Sequence, residues 1–169
     1  MGTDFAGDGA SMTDSGYPRT VREWRRGTAL SASSEVFAGE KTDVSVSGYV
    51  SRHGEHVFEW RERALTFYTS TYALRLSDSD QWTQLDTLPE DAKLWQFQNQ
   101  LMLSLRSRWT PGSQTFESGA LLAASAADVI KNGKNATFKV LLSTYLPTYL
   151  PASLPAFHKH QSCPKTTLS

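Results

Sequence analysis

With 169 residues, 39% of them hydrophobic, and five Trp, six Tyr and eight Phe, the chain has enough apolar material for the core of one ordinary domain. Seventeen basic residues balance seventeen acidic ones, so no overall field steers the chain toward nucleic acid or an anionic membrane, and neither partner is expected. A single cysteine, Cys163, excludes an internal disulfide framework and fits a reducing, cytoplasmic setting.

Met1 to Ser15 is rich in Gly, Asp, Ser and Thr and has neither the basic start nor the apolar run of a signal peptide. Arg22, Arg25 and Arg26 flank Trp24 and could be taken for a nucleic-acid patch. A strand with Trp24 packed inward and the arginines outward accounts for them better in a neutral chain. From Glu35 to Phe138, short β-branched and aromatic runs alternate with turn residues, which is the pattern of antiparallel strands.

Val44, Val46 and Val50 share one face of a strand over Asp43–Val50. Arg52 to Glu55 reads as a turn, and His56 to Arg61 as the returning strand. Further strands are expected at Leu65–Tyr68, Tyr72–Leu76, Gln81–Leu85, Leu94–Gln98, Gln100–Arg106 and Gly119–Ala124. Turns fall at Ser77–Asp80, Pro89–Asp91, Pro111–Gly112 and Glu117–Gly119. An Ala-rich stretch, Ser125–Ile130, predicts one short helix before Asn132-Gly133.

After Leu141 the character changes. Thr144-Tyr145-Leu146-Pro147 is repeated at once as Thr148-Tyr149-Leu150-Pro151, and Pro155 follows. Repeated proline interrupts helices and removes strand donors, so residues 143–169 are expected to be a low-complexity, unstructured tail, and no membrane-spanning run is long enough. The fold class expected is all-β, and strand spacing alone leaves sandwich, barrel and propeller open.

Three runs carry a more specific signal: Gly2-Thr3-Asp4-Phe5, Ser15-Gly16-Tyr17-Pro18-Arg19 and Trp24-Arg25-Arg26-Gly27. With Phe37-Ala38-Gly39-Glu40, Asp43 to Val46, Phe67-Tyr68, Leu101 to Trp109 and Gly119 to Ala123, the chain from Gly2 to Leu141 resembles the propeller of prolyl-oligopeptidase-family serine peptidases. In that family a seven-bladed propeller covers an α/β-hydrolase domain bearing a Ser, Asp and His triad, and restricts access to short peptides. At roughly 40 to 45 residues per blade, the resemblance implies about three blades of an incomplete propeller over residues 1–142. It also implies that the catalytic half is missing. Departure from the pattern after Leu141 is the expected mark of a frameshift or retained intron.

No Gly-x-Ser-x-Gly elbow occurs, and no serine is followed by an ordered Asp and His at family distances, so no catalytic residue is assigned. His53 and His56 fall beside a turn and suit a solvent-exposed polar role. His158, His160 and Cys163 resemble zinc ligands but lack the second half of a structural site, so no metal or cofactor is expected. Arg61, Glu62, Arg63, Arg106 and Arg108 read as solvated faces around buried aromatics, and Asn135-Ala136-Thr137 as an incidental glycosylation match. The function expected is a noncatalytic propeller fragment of a serine-type endopeptidase, self-associating through open strand edges. The alternative is a free-standing β-rich protein-binding module that adds a partner strand.

Overall fold

The computed structural model describes Asp4, Gly7 and residues 9–143; the expected tail beyond them, with His158, His160 and Cys163, lies outside the described residues. Among the described residues, ten strands form three antiparallel sheets. A two-stranded ribbon pairs β1 (Thr20–Glu23) with β2 (Ser34–Ala38). The first four-stranded sheet takes β3 (Ser45–His53), β4 (His56–Ala64), β5 (Ser70–Leu76) and β6 (Thr83–Gln84) in sequence order. The second takes β7 (Lys93–Phe97), β8 (Gln100–Ser104), β9 (Leu121–Ser125) and β10 (Lys139–Leu142), again in sequence order. The sheets are open, and the helix α1 (Ala126–Asn132) bridges β9 to a 3-10 turn before β10.

Alternation along the strands decides what each face meets. On β4 and β5, Phe58, Trp60, Tyr72 and Leu74 point into the core, where they join Leu94, Leu101, Leu103, Leu122 and Ala124 of the second sheet. Val129 of α1 and Phe138 close the same core from one end. The opposite face of the first sheet carries Glu59, Arg61, Arg63 and Arg75 and looks toward the ribbon. Glycine is required where the ribbon closes on this face: a Cβ on Gly39 would stand 2.4 Å from both the Asp43 carboxylate and a Val46 methyl.

Several expected elements are displaced. Leu65–Tyr68 is not a strand but a turn, because Thr66 Oγ1 accepts the N–H groups of Tyr68 (3.1 Å) and Thr69 (3.0 Å) and overrides the β-propensity of the two aromatics. Trp24 is not packed inward. β1 ends at Glu23, the chain turns through Gly27 at φ 88°, and the indole Nε1 donates to the Thr28 carbonyl at the surface. Val46 is buried as expected, but Val50, on the same face, is 51% exposed. The expected strand Gln81–Leu85 shrinks to Thr83–Gln84, and the helix begins at Ala126 and runs to Asn132.

One ion pair anchors the base of the first sheet. Asp43, almost fully buried, accepts two hydrogen bonds from Arg63 (Nε 2.7 Å, Nη2 3.0 Å) and one from the Glu40 N–H (2.8 Å). Burial alone would raise the Asp43 carboxyl. The Arg63 hydrogen bonds, the Glu40 amide and the Arg63 charge outweigh it and hold the pKa below the ordinary carboxylate value.

Two predictions follow from this corner. A depressed folded-state pKa gives stability that is present above the unfolded carboxylate pKa and lost as pH falls through the folded one. Asp43→Asn should therefore lower stability by about 1–3 kcal/mol at pH 7, with the gap to the parent narrowing below pH ~4 in urea titrations. Gly39→Ala should cost about 1–3 kcal/mol by overpacking; an unchanged urea midpoint would contradict the close approach at this corner.

Candidate functional site

The most developed concavity lies between the ribbon and the charged face of the first sheet, a groove of about 570 Å³ whose lining includes Val21, Phe37, Gly48, Glu59, Arg61, Arg75 and Trp82. Gly48 is at its floor because a Cβ there would come within 2.9 Å of a Val21 methyl. Arg61 is the organising side chain. Its guanidinium lies 3.8 Å from the centroid of Trp82 and 5.2 Å from that of Phe37, and Nη2 donates to the Val36 carbonyl at 2.7 Å. Arg75 also stands over Trp82, at 5.0 Å, while donating to Glu59 through Nη2 (2.5 Å) and Nε (3.2 Å).

This is a guanidinium–indole stack with one carboxylate, partly withdrawn from water. Burial lowers the Arg61 pKa from its ordinary value and the neighbouring Arg75 charge adds to that, opposed by Glu59. Such a stack suits planar or carbonyl-bearing groups, and its carboxylate, Glu59, is held by Arg75. Phe37 was singled out by sequence only through the family resemblance, and nothing in the sequence ties Trp82 to Arg61: the two meet only when β6 folds back on β5 and β4.

The other residues singled out by sequence are scattered. Arg22 donates to Ser33 (Nε to Oγ, 3.0 Å; Nη2 to the carbonyl, 2.5 Å), whereas Arg25 and Arg26 lie exposed in the turn after β1. His53 and His56 face each other as a cross-strand pair at the tight β3–β4 turn, both exposed, with the His53 ring 6.2 Å from Phe97. Arg63 belongs to the Asp43 pair and Glu62 to the opposite face of β4. Arg106 lies 5.3 Å over the Tyr68 ring. Arg108 makes an exposed pair with Glu117 at 3.4 Å, and Trp109 packs edge-on to Phe138. Asn135 is an exposed residue of the 3-10 turn. Among the described residues no three His, Cys, Asp or Glu side chains gather as a metal site, and no helix is long and apolar enough to cross a membrane.

No family model matches the chain. Over 117 residues it is 31% identical to an uncharacterized peptidase, y4nA, of Sinorhizobium fredii, an alignment that takes in 66% of this chain and 16% of the relative. Its fold is similar to the structure of a post-proline cleaving enzyme from Rickettsia typhi, with a TM-score of 0.70 at 22% identity over 81% of this chain and 20% of the other. The chain thus spans about a sixth of the length of the peptidase it matches and a fifth of the solved enzyme.

Proposed function

We propose that residues 1–142 are a propeller segment of a prolyl-oligopeptidase-like serine peptidase and that they contribute no catalytic group. The observation that carries this reading is the 0.70 TM-score match to a post-proline cleaving enzyme, of which the chain spans a fifth. It is supported by the sequence similarity to a peptidase and by two successive four-stranded meanders, each ordered as its strands occur in the chain, as propeller blades are. On this reading the ribbon is part of a third blade, and the segment helps wall a chamber that admits short peptides to a hydrolase domain elsewhere. Its setting is cytoplasmic. Arg61, stacked on Trp82 of its own sheet and bound to Phe37 and the Val36 carbonyl of the ribbon, then braces one blade against the next rather than binding substrate.

A second reading, a free-standing β-rich binding module that takes a partner strand along β3, is favoured by the nine-residue length of that strand at the edge of its sheet.

The purified chain should give no labelling with a fluorophosphonate serine probe and no cleavage of a fluorogenic proline-containing peptide. Specific labelling abolished by denaturation would overturn the noncatalytic assignment. If the stack is a brace, Trp82→Ala should lower the urea midpoint by an amount equivalent to about 1–3 kcal/mol. Unchanged stability would instead leave the groove free to serve a ligand.

A further inference from the structure

The helix α1 ends in the one Asn-Gly pair of the chain, Asn132-Gly133; the other asparagines, Asn99 and Asn135, precede Gln100 and Ala136. A backbone nitrogen that follows an asparagine can attack its side-chain amide carbon, and glycine leaves that approach open because it carries no Cβ. The fold cannot dispense with this glycine. Its φ is 56°, and a Cβ there would stand 2.5 Å from Thr87 Oγ1, the hydroxyl that accepts the Lys134 N–H at 3.0 Å.

Asn132 is exposed, and its Nδ2 donates to Asp128 Oδ1 at 2.6 Å. The other oxygen of Asp128 accepts the Thr137 N–H at 2.8 Å, so one carboxylate ties the end of α1 to the segment leading into β10. The Thr137 amide first, and then the Asn132 amide, hold the Asp128 carboxyl below its ordinary pKa and keep it charged.

Both reacting groups are restrained while this corner is closed. The Gly133 N–H donates to the Val129 carbonyl, and the Asn132 amide is bonded to Asp128, so attack requires both bonds to break. That opening is local. α1 has seven residues, too few to persist without packing, and its buried residues, Ala126 and Val129, lie in its first part, so the last turn opens first. The exposed ammonium groups of Lys131 and Lys134 flank the pair and favour loss of the proton from the Gly133 nitrogen.

We infer that Asn132 is a self-modification site, converted to aspartate and isoaspartate at a rate set by opening of the last turn of α1. In the open state the Gly133 nitrogen passes its proton to hydroxide and bonds to Asn132 Cγ. The Cγ–Nδ2 bond breaks, and ammonia leaves after taking a proton from water. Water then opens the cyclic imide at either carbonyl, giving aspartate or isoaspartate, and nothing is oxidised or reduced. Either product puts a carboxylate where an amide donor stood, facing the charge of Asp128. Like charges so placed repel, and the tie through Asp128 to Thr137 is loosened. This inference does not rest on the peptidase-like reading.

Peptide mapping of the 169-residue chain, held in mildly alkaline buffer, should find aspartate and isoaspartate at position 132 while Asn99 and Asn135 stay amides. Conversion should run about 10- to 100-fold slower than in the same chain unfolded in urea, because it follows the open population. Asp128→Ala, or Thr87→Val should the first variant fail to fold, should speed it about three- to tenfold by weakening the closed corner. Asn132→Asp, as the product, should raise hydrogen exchange at the Thr137 amide about tenfold, whereas Asn132→Gln should leave it near the parent value. Equal rates in folded and urea-unfolded chains would overturn the gating, as would a folded variant of either kind that converts no faster than the parent. Conversion spread evenly over the three asparagines, or no product at position 132 while the unfolded chain reacts, would overturn the site. Unchanged Thr137 exchange in Asn132→Asp would overturn its structural consequence.

Discussion

Everything in the described structure depends on how Trp60 is held. It is 1% exposed, and each side of the indole has a partner: Tyr49 stacked at 6.0 Å, Phe58 tilted at 6.4 Å and Tyr72 edge-on at 6.3 Å. Its N–H cannot be left unpaired in so dry a place, since an unsatisfied buried donor costs about 1–3 kcal/mol. It donates to Ser51 Oγ at 2.9 Å, and Ser51 in turn donates to Gln96 of the second sheet. Gln96, 4% exposed, completes its own requirements with the carbonyls of His56 (3.1 Å) and Gln98 (2.7 Å). A polar thread therefore crosses between the two sheets and fixes the register of β3 and β4 against β7. A hydrophobic contact alone, being non-directional, would leave the two sheets freer to slide.

This thread also explains the division of the first sheet into two unlike faces. Once Phe58, Trp60 and Tyr72 are committed to the second sheet, the period of two sends Glu59, Arg61, Arg63 and Arg75 to the other side. Charges placed there must be paired or stacked, and they are: Asp43 takes Arg63, Glu59 takes Arg75, and Trp82 with Phe37 takes Arg61. The groove is thus what remains after a charged sheet face has been satisfied against a narrow ribbon. Its content is the pairing and stacking of those charges.

What the sequence made legible was local. The β3–β4 hairpin, the strands at Tyr72–Leu76 and Leu94–Phe97, and the helix after β9 follow from alternation, turn residues and an Ala-rich run, all readable within a few positions. The losses came where a side chain chose between two local partners. Thr66 captured two backbone amides and turned Phe67 and Tyr68 out to solvent, and Trp24 bonded back to its own turn in place of reaching the core. The Arg61–Trp82 and Ser51–Gln96 contacts were not legible because each joins residues brought together only by strand order and register. The resemblance of Ser15–Arg19 and Trp24–Gly27 to a peptidase propeller offered what periodicity could not, a choice among all-β architectures, whereas the described strands and the similarity to a solved enzyme carry the coarser statement of a mostly β fold.

The strand order carries a kinetic consequence. In both four-stranded sheets every strand pairs with its neighbour in the chain, so each can zip by closing short loops, without the entropy of a distant encounter. The exceptions lie in the second sheet, where residues 105–120 separate β8 from β9 and residues 126–138 separate β9 from β10. The hairpins β3–β4 and β7–β8 are therefore the natural early species. The second sheet is the later to complete, because β9 must wait for a wide excursion to collapse around Trp109, Phe116 and Phe138 before it finds its place. That aromatic triplet is the contact on which completion of the second sheet waits.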